Sequence, residues 1–170
     1  MKWVAEEHQQ YDLALTLHWA NSYWADSPRY RPTLVEPANA YRNDVRHFFN
    51  IVDRKLFGSA HRRYGKRFGR LVSLHCSPGV GWHVHAAVRT PDGFSQSEFI
   101  QILERTWRKH LGHHAERSNI ETRLFDAQQN RGNFASYTIR HENGTELDIN
   151  KHDVGVSDWE NTALQRRNVH

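Results

Sequence analysis

FGRLVSLHCSPGVGWHVHAAVRT, residues 68–90, is the stretch on which the fold turns. Two apolar runs flank Ser77-Pro78-Gly79-Val80-Gly81, a turn-forming segment. The spacing predicts two strands, 68–77 and 81–90, joined tightly and paired antiparallel. Side chains on a strand alternate between faces. Leu71, Ser73 and His75 therefore share one face of the first strand, and Val72, Leu74 and Cys76 the other. On the second strand His83, His85 and Ala87 oppose Val84, Ala86 and Val88. The pair has one apolar surface to cover and one surface bearing three imidazoles.

The pattern outside this hairpin says what covers it. YDLALTLHWA (11–20) alternates cleanly, with Leu13, Leu15 and Leu17 on one face and Ala14, Thr16 and His18 on the other, so it predicts a half-buried strand. Residues 21–37 carry three prolines and read as a long loop. From Pro37 to Leu56, Tyr41, Val45, Phe48, Phe49, Val52 and Leu56 recur at helical spacing, with Pro37 in the first turn. SEFIQILERTWRKHLG (97–112) predicts a second amphipathic helix, with Ser95 as N-cap, Glu98 as its capping-box partner and Gly112 as the stop. Residues 119–127 read as a further strand and 130–144 as a short helix. The expected class is α+β, a central antiparallel sheet with helices packed on one face. One domain over 1–170 is expected, with 145–170 as a C-terminal extension.

Composition narrows the function classes. Hydrophobic residues make up 38% and charged residues 25% of the chain, which suits a folded globular domain. One cysteine, Cys76, excludes an internal disulfide and a cysteine-based zinc site. The N-terminal residues MKWVAEEHQQ carry no signal-peptide run, and no stretch has the length of a membrane span. These features set the expectation of a cytoplasmic protein with no membrane partner. The net charge of +4 and pI of 9.4 are compatible with nucleic acid without demanding it.

Two constellations carry chemistry. Imidazoles at i and i+2 on a strand project in parallel, and a third from the neighbouring strand closes a facial triad with open positions. His83, His85 and His75 fit that pattern. The competing expectation is of surface histidines on a solvated sheet, since the chain has 13 of them. HRRYGKRFGR (61–70) interleaves Arg62, Arg63, Lys66, Arg67 and Arg70 with Tyr64 and Phe68. Cations neutralise phosphates and aromatics stack on unpaired bases, so this segment is a candidate DNA contact, with a solvated loop as the bland alternative.

WHVHAAV resembles the His-hydrophobe-His signature of the HUH endonucleases, the single-strand nickases of rolling-circle replication initiators, relaxases and some transposases. ALTLHW (14–19) looks like the first replication-initiator motif, and ASYTIRH (135–141) like the tyrosine motif. The order and spacing match over roughly residues 11–144. Many members place an acidic third ligand eight or nine positions before the histidine pair; His75 stands there. The common Tyr-x-x-Lys is Tyr-x-x-Arg here, Tyr137 and Arg140. The resemblance implies a ferredoxin- or RRM-like nuclease fold. It implies Tyr137 as nucleophile on single-stranded DNA, forming a 5′-phosphotyrosyl link, with Arg140 on the phosphate and His141 as a further DNA contact. It also implies a divalent metal on His75, His83 and His85, Mn²⁺ or Mg²⁺. Three imidazoles make a softer set than Mg²⁺ prefers, and admit Zn²⁺.

Such an enzyme initiates rolling-circle replication of a plasmid, phage or mobile element at an origin or hairpin. No GxxxxGK[ST] motif is present, so a host helicase is expected in trans. The alternatives are a transposase of the same type, a non-catalytic nucleic-acid-binding domain, and a hydrolase in which metal-bound water attacks.

Overall fold

A computed structural model of the chain describes residues 11–19, 37–77, 81–112 and 120–124. Among these the elements run β1 (Leu13–His18), α1 (Pro37–Phe57), α2 (Ser59–Tyr64), β2 (Arg70–Ser77), β3 (Gly81–Val88), α3 (Gln96–Leu111) and β4 (Ile120–Leu124). The sheet has the order β2-β3-β1-β4, and every neighbouring pair is antiparallel. Two β-α-β units each have a strand of the other between their own two, the ferredoxin-like arrangement. The α+β class, with an antiparallel sheet and helices on one face, is therefore observed. The helix expected over 130–144 and the segment 145–170 lie outside the described residues.

The helix-facing side of the sheet follows from strand parity. Leu13, Leu15 and Leu17 of β1, Val72 and Leu74 of β2, and Val84, Ala86 and Val88 of β3 are all buried in one cluster. Val45, Phe48, Phe49 and Val52 of α1 join them at helical spacing, as do Phe99, Leu103, Trp107 and Leu111 of α3. The start of α3 is fixed by the capping box. Ser95 Oγ accepts from the Glu98 amide at 3.2 Å, and Glu98 Oε2 accepts from the Ser95 amide at 2.9 Å. The segment 61–70 is not wholly a solvated loop, because its first four residues are helical. They belong to the six-residue helix α2, closed by Gly65 in the left-handed conformation, φ 64°.

One candidate DNA contact is corrected here. Arg70 has the same parity as Val72 and Leu74, so its side chain enters the helix layer and is only 1% exposed. Its Nη1 donates to Asp53 Oδ1 and Oδ2 at 3.0 and 2.8 Å. The guanidinium lies over the rings of Phe49 and Phe68, 4.9 and 4.8 Å from their centres. The Phe68 amide donates to the same carboxylate at 3.2 Å. Burial pushes the Asp53 pKa up, opposed by the charge and hydrogen bonds of Arg70. Phe68 is itself buried, so it is not available to stack on a base.

A buried pair of this kind is costly to break singly, because a charge is left without its counter-ion. Arg70→Met is expected to lower the unfolding free energy by about 3–5 kcal/mol. Asp53→Leu combined with Arg70→Met is expected to cost less than the two single changes together. Urea denaturation of the four proteins measures the coupling, and strictly additive losses would count against it.

Candidate metal centre on the sheet

The strand register brings the histidines together. His75 of β2 stands directly opposite His83 of β3, and His83 directly opposite His18 of β1. One step along, Ser73, His85, Thr16 and Glu121 form a second row across all four strands. Both rows lie on the face away from the helices. The rings of His75, His83 and His85 approach one another mutually, with centres 5.6 Å (75–83), 5.1 Å (75–85) and 5.0 Å (83–85) apart. His18 stacks on the far side of His83 at 5.6 Å.

This face is not a solvated surface. Ser73, His75, His83 and Ala87 are buried, and Thr16, His18 and His85 are half-buried. Burial, and then the neighbouring His75, His83 and His18, push the His85 pKa down to about 3. His18 is also lowered, by burial and by His83, with Glu121 pulling the other way. His85 is thus neutral at neutral pH, the form that ligates a metal. Its Nδ1 lies 3.1 Å from Thr16 Oγ1, an outer contact that orients the ring and leaves Nε2 for a ligand. Ser73 Oγ, opposite His85, is buried with no hydrogen-bond partner.

Whether these residues suit a metal is a question of spacing and donor type. With the nitrogen about 2.1 Å from an ion, a ring centre lies about 3.2 Å from it, so two ligating rings at 90–110° have centres about 4.5–5.3 Å apart. The three observed separations fall within or just above that interval. As the side chains stand, no group of three His, Cys, Asp or Glu among the described residues is arranged to hold a metal ion. The rings pack edge to face or stacked. The donor set, imidazole nitrogens with one hydroxyl that lacks a partner, fits a transition ion such as Mn²⁺ or Zn²⁺ better than Mg²⁺.

Of the remaining site residues, Tyr137, Arg140 and His141 lie outside the described residues. Arg62 and Arg63 are exposed on α2, and Lys66 and Arg67 are exposed in the segment after it. These cations precede β2, whereas His75 is near its far end. The five steps of strand from Arg70 to His75 alone span about 17 Å. The basic segment and the imidazoles are therefore separate places on the molecule. Thr16, His18, Ser73 and Glu121 were not among the expected site residues. The parity of 14, 16 and 18 in ALTLHW was legible, but the pairing of β1 with β3 was not.

No family model, curated protein or solved structure matches this chain. No helix among the described residues is long and apolar enough to cross a membrane.

The lowered His85 pKa has a consequence for stability. The unfolded chain, with His85 near its ordinary 6.5, binds a proton over a range where the folded chain does not. The contribution is full above that value and is lost as pH falls toward 3. In chelator, the urea midpoint is expected to drop between about pH 7 and pH 5, and to drop less for His85→Gln. Equal pH dependence in both proteins would show that His85 does not carry the effect.

Proposed function

We propose that this protein is a metal-dependent, single-tyrosine endonuclease of single-stranded DNA. The observation that carries the reading is the mutual approach of His75, His83 and His85 on adjacent strands. The buried Ser73 hydroxyl without a partner beside them supports it. The likeness of three short motifs to HUH endonucleases supplies the reaction class.

In the proposed reaction Tyr137 Oη attacks the scissile phosphorus. The O–P bond to tyrosine forms as the bond to the 3′ oxygen breaks. The phenolic proton passes to solvent and the departing 3′ oxygen takes one up. A 5′-phosphotyrosyl link and a free 3′-OH result, and the reverse attack rejoins the strand. Arg140, three residues after Tyr137, holds the phosphate, and His141 contacts the strand. His75, His83 and His85 would hold a divalent ion, which would supply polarisation of a non-bridging phosphate oxygen. Thr16 keeps His85 oriented for that role. Nicking of this kind initiates rolling-circle replication of a plasmid, phage or mobile element at an origin or hairpin, with a host helicase acting in trans. Transfer of the strand to a different end would make the same chemistry a transposase. The exposed cations of α2 also suit the second reading, a non-catalytic nucleic-acid-binding domain.

Incubation with labelled single-stranded DNA and Mn²⁺, followed by a denaturing gel, separates these readings. A labelled species is expected to migrate with the protein. It should disappear in Tyr137→Phe and in His83→Ala/His85→Ala. Cleavage by Tyr137→Phe equal to wild type would sink the tyrosine assignment in favour of a metal-activated water. Binding without adduct or cleavage, at every metal and oligonucleotide tried, would favour the binding domain.

Thr16→Val removes the outer hydrogen bond while keeping the side-chain shape. Mn²⁺ affinity, read by calorimetry, is expected to fall about 10–100-fold. An unchanged affinity would remove Thr16 from the site.

A further inference from the structure

Away from the histidine face, an open pocket of about 580 Å³ is lined by Arg54, Gly58, Ser59, Arg62 and Arg63. Arg54 comes from the last turn of α1 and the other two from α2. Gly58, at φ 52°, makes the break between α1 and α2, and the three arginines on either side of it line one hollow. Residues 54–70 contain no Asp or Glu. The nearest carboxylate in sequence, Asp53, is buried and committed to Arg70. Among the described residues no carboxylate pairs with Arg54, Arg62 or Arg63. Three like charges facing one pocket repel one another, and an anion there relieves the repulsion. Guanidinium forks match phosphate oxygens in pairs.

The surface is longer than one anion needs. Lys66 and Arg67 continue it as exposed cations, and the ring of Tyr64 at the end of α2 is 80% exposed. An exposed aromatic amid cations is the arrangement that stacks unpaired bases while neutralising their backbone.

We propose that Arg54, Arg62 and Arg63 form a phosphate-backbone anchor for nucleic acid, with Tyr64 as its base platform, separate from the histidine cluster. The proposal rests on the nucleic-acid reading above and deepens it. It adds Arg54, keeps Tyr64 as the exposed aromatic, and takes away Arg70 and Phe68. Because the hollow precedes β2 in the chain and His75 lies near the far end of that strand, five strand steps or about 17 Å beyond Arg70, a substrate that reaches both extends well beyond the cut nucleotide. The anchor supplies sequence-independent affinity and takes no part in bond breaking.

The test is fluorescence anisotropy of a labelled single strand of about 16 nucleotides, titrated in chelator between about 50 and 200 mM salt. Arg54→Ala/Arg62→Ala/Arg63→Ala is compared with wild type on two unrelated sequences. Affinity is expected to fall at least about tenfold on both sequences, and the slope of log K against log salt to shrink by about 2, three contacts at about 0.7 each. Tyr64→Ala should weaken binding with the slope unchanged. Mn²⁺ affinity by calorimetry and the urea midpoint should not change in the triple variant.

Wild-type affinity and slope in the triple variant would overturn the anchor while leaving the nuclease reading intact. Displacement of the strand by low-millimolar inorganic phosphate, with no dependence on oligonucleotide length, would overturn it in favour of a single-phosphate site. No binding of any single strand by wild type would overturn both readings. Normal binding with no adduct under any condition would sink the nuclease alone.

Discussion

Val84, Ala86 and Val88 share a strand with His83 and His85, and a period of two sends them to opposite faces. The rest of the structure depends on that constraint. The apolar set must meet α1 and α3, so the imidazoles are committed to the other side of the sheet. A slip of one residue would put two histidines into the core and expose the valines, which pins the register of β3 against both neighbours. Both neighbours obey the same parity. The result is imidazole opposite imidazole across three strands, His75 to His83 to His18.

The helix layer holds this arrangement from beneath. Trp82 precedes His83 and points the other way, stacking on Tyr41 at 5.2 Å. Trp19 follows His18 and meets Tyr41 and Trp107 edge-on. Its Nε1 donates to Asp44 at 2.7 Å, and the same carboxylate contacts His110 Nε2 at 2.7 Å. His18 therefore has an aromatic neighbour in the core, Trp19, and His83 one packed against it, Trp82. Side chains that must meet a ligand gain precision when the backbone under them is held this way. The buried Asp53–Arg70 pair performs a related service at the opposite end of the layer, tying α1 to the start of β2.

Charge is divided along the same axis. The imidazole face is neutral where burial has driven His85 far below its ordinary pKa. The cations gather before β2, around the hollow between α1 and α2. Nitrogen ligands and a phosphate-binding surface place opposite demands on solvation. The first are best desolvated and deprotonated, the second exposed and charged. Separation on one sheet satisfies both.

Much of this was legible in the residues. The alternation in 11–20 and 68–90, the helical spacing of Val45, Phe48, Phe49 and Val52, and the Ser95–Glu98 capping box are local patterns, and local patterns survive without knowledge of the fold. Arg70 shows the limit. Its basic neighbours invited a reading as a DNA contact, yet its parity with Val72 and Leu74 already placed it on the core side, and Asp53 stands four residues after Phe49 on the buried stripe of α1. The parity was readable, but the partner that makes a buried arginine tolerable comes from another element. The sequence by itself determined which side chains share a face, because alternation is a property of one strand. Only the tertiary structure decided that β1 lies between β3 and β4. Strand order depends on contacts between distant segments, and from it come His18 beside His83, Thr16 against His85, and a cation-lined hollow set apart from the histidines.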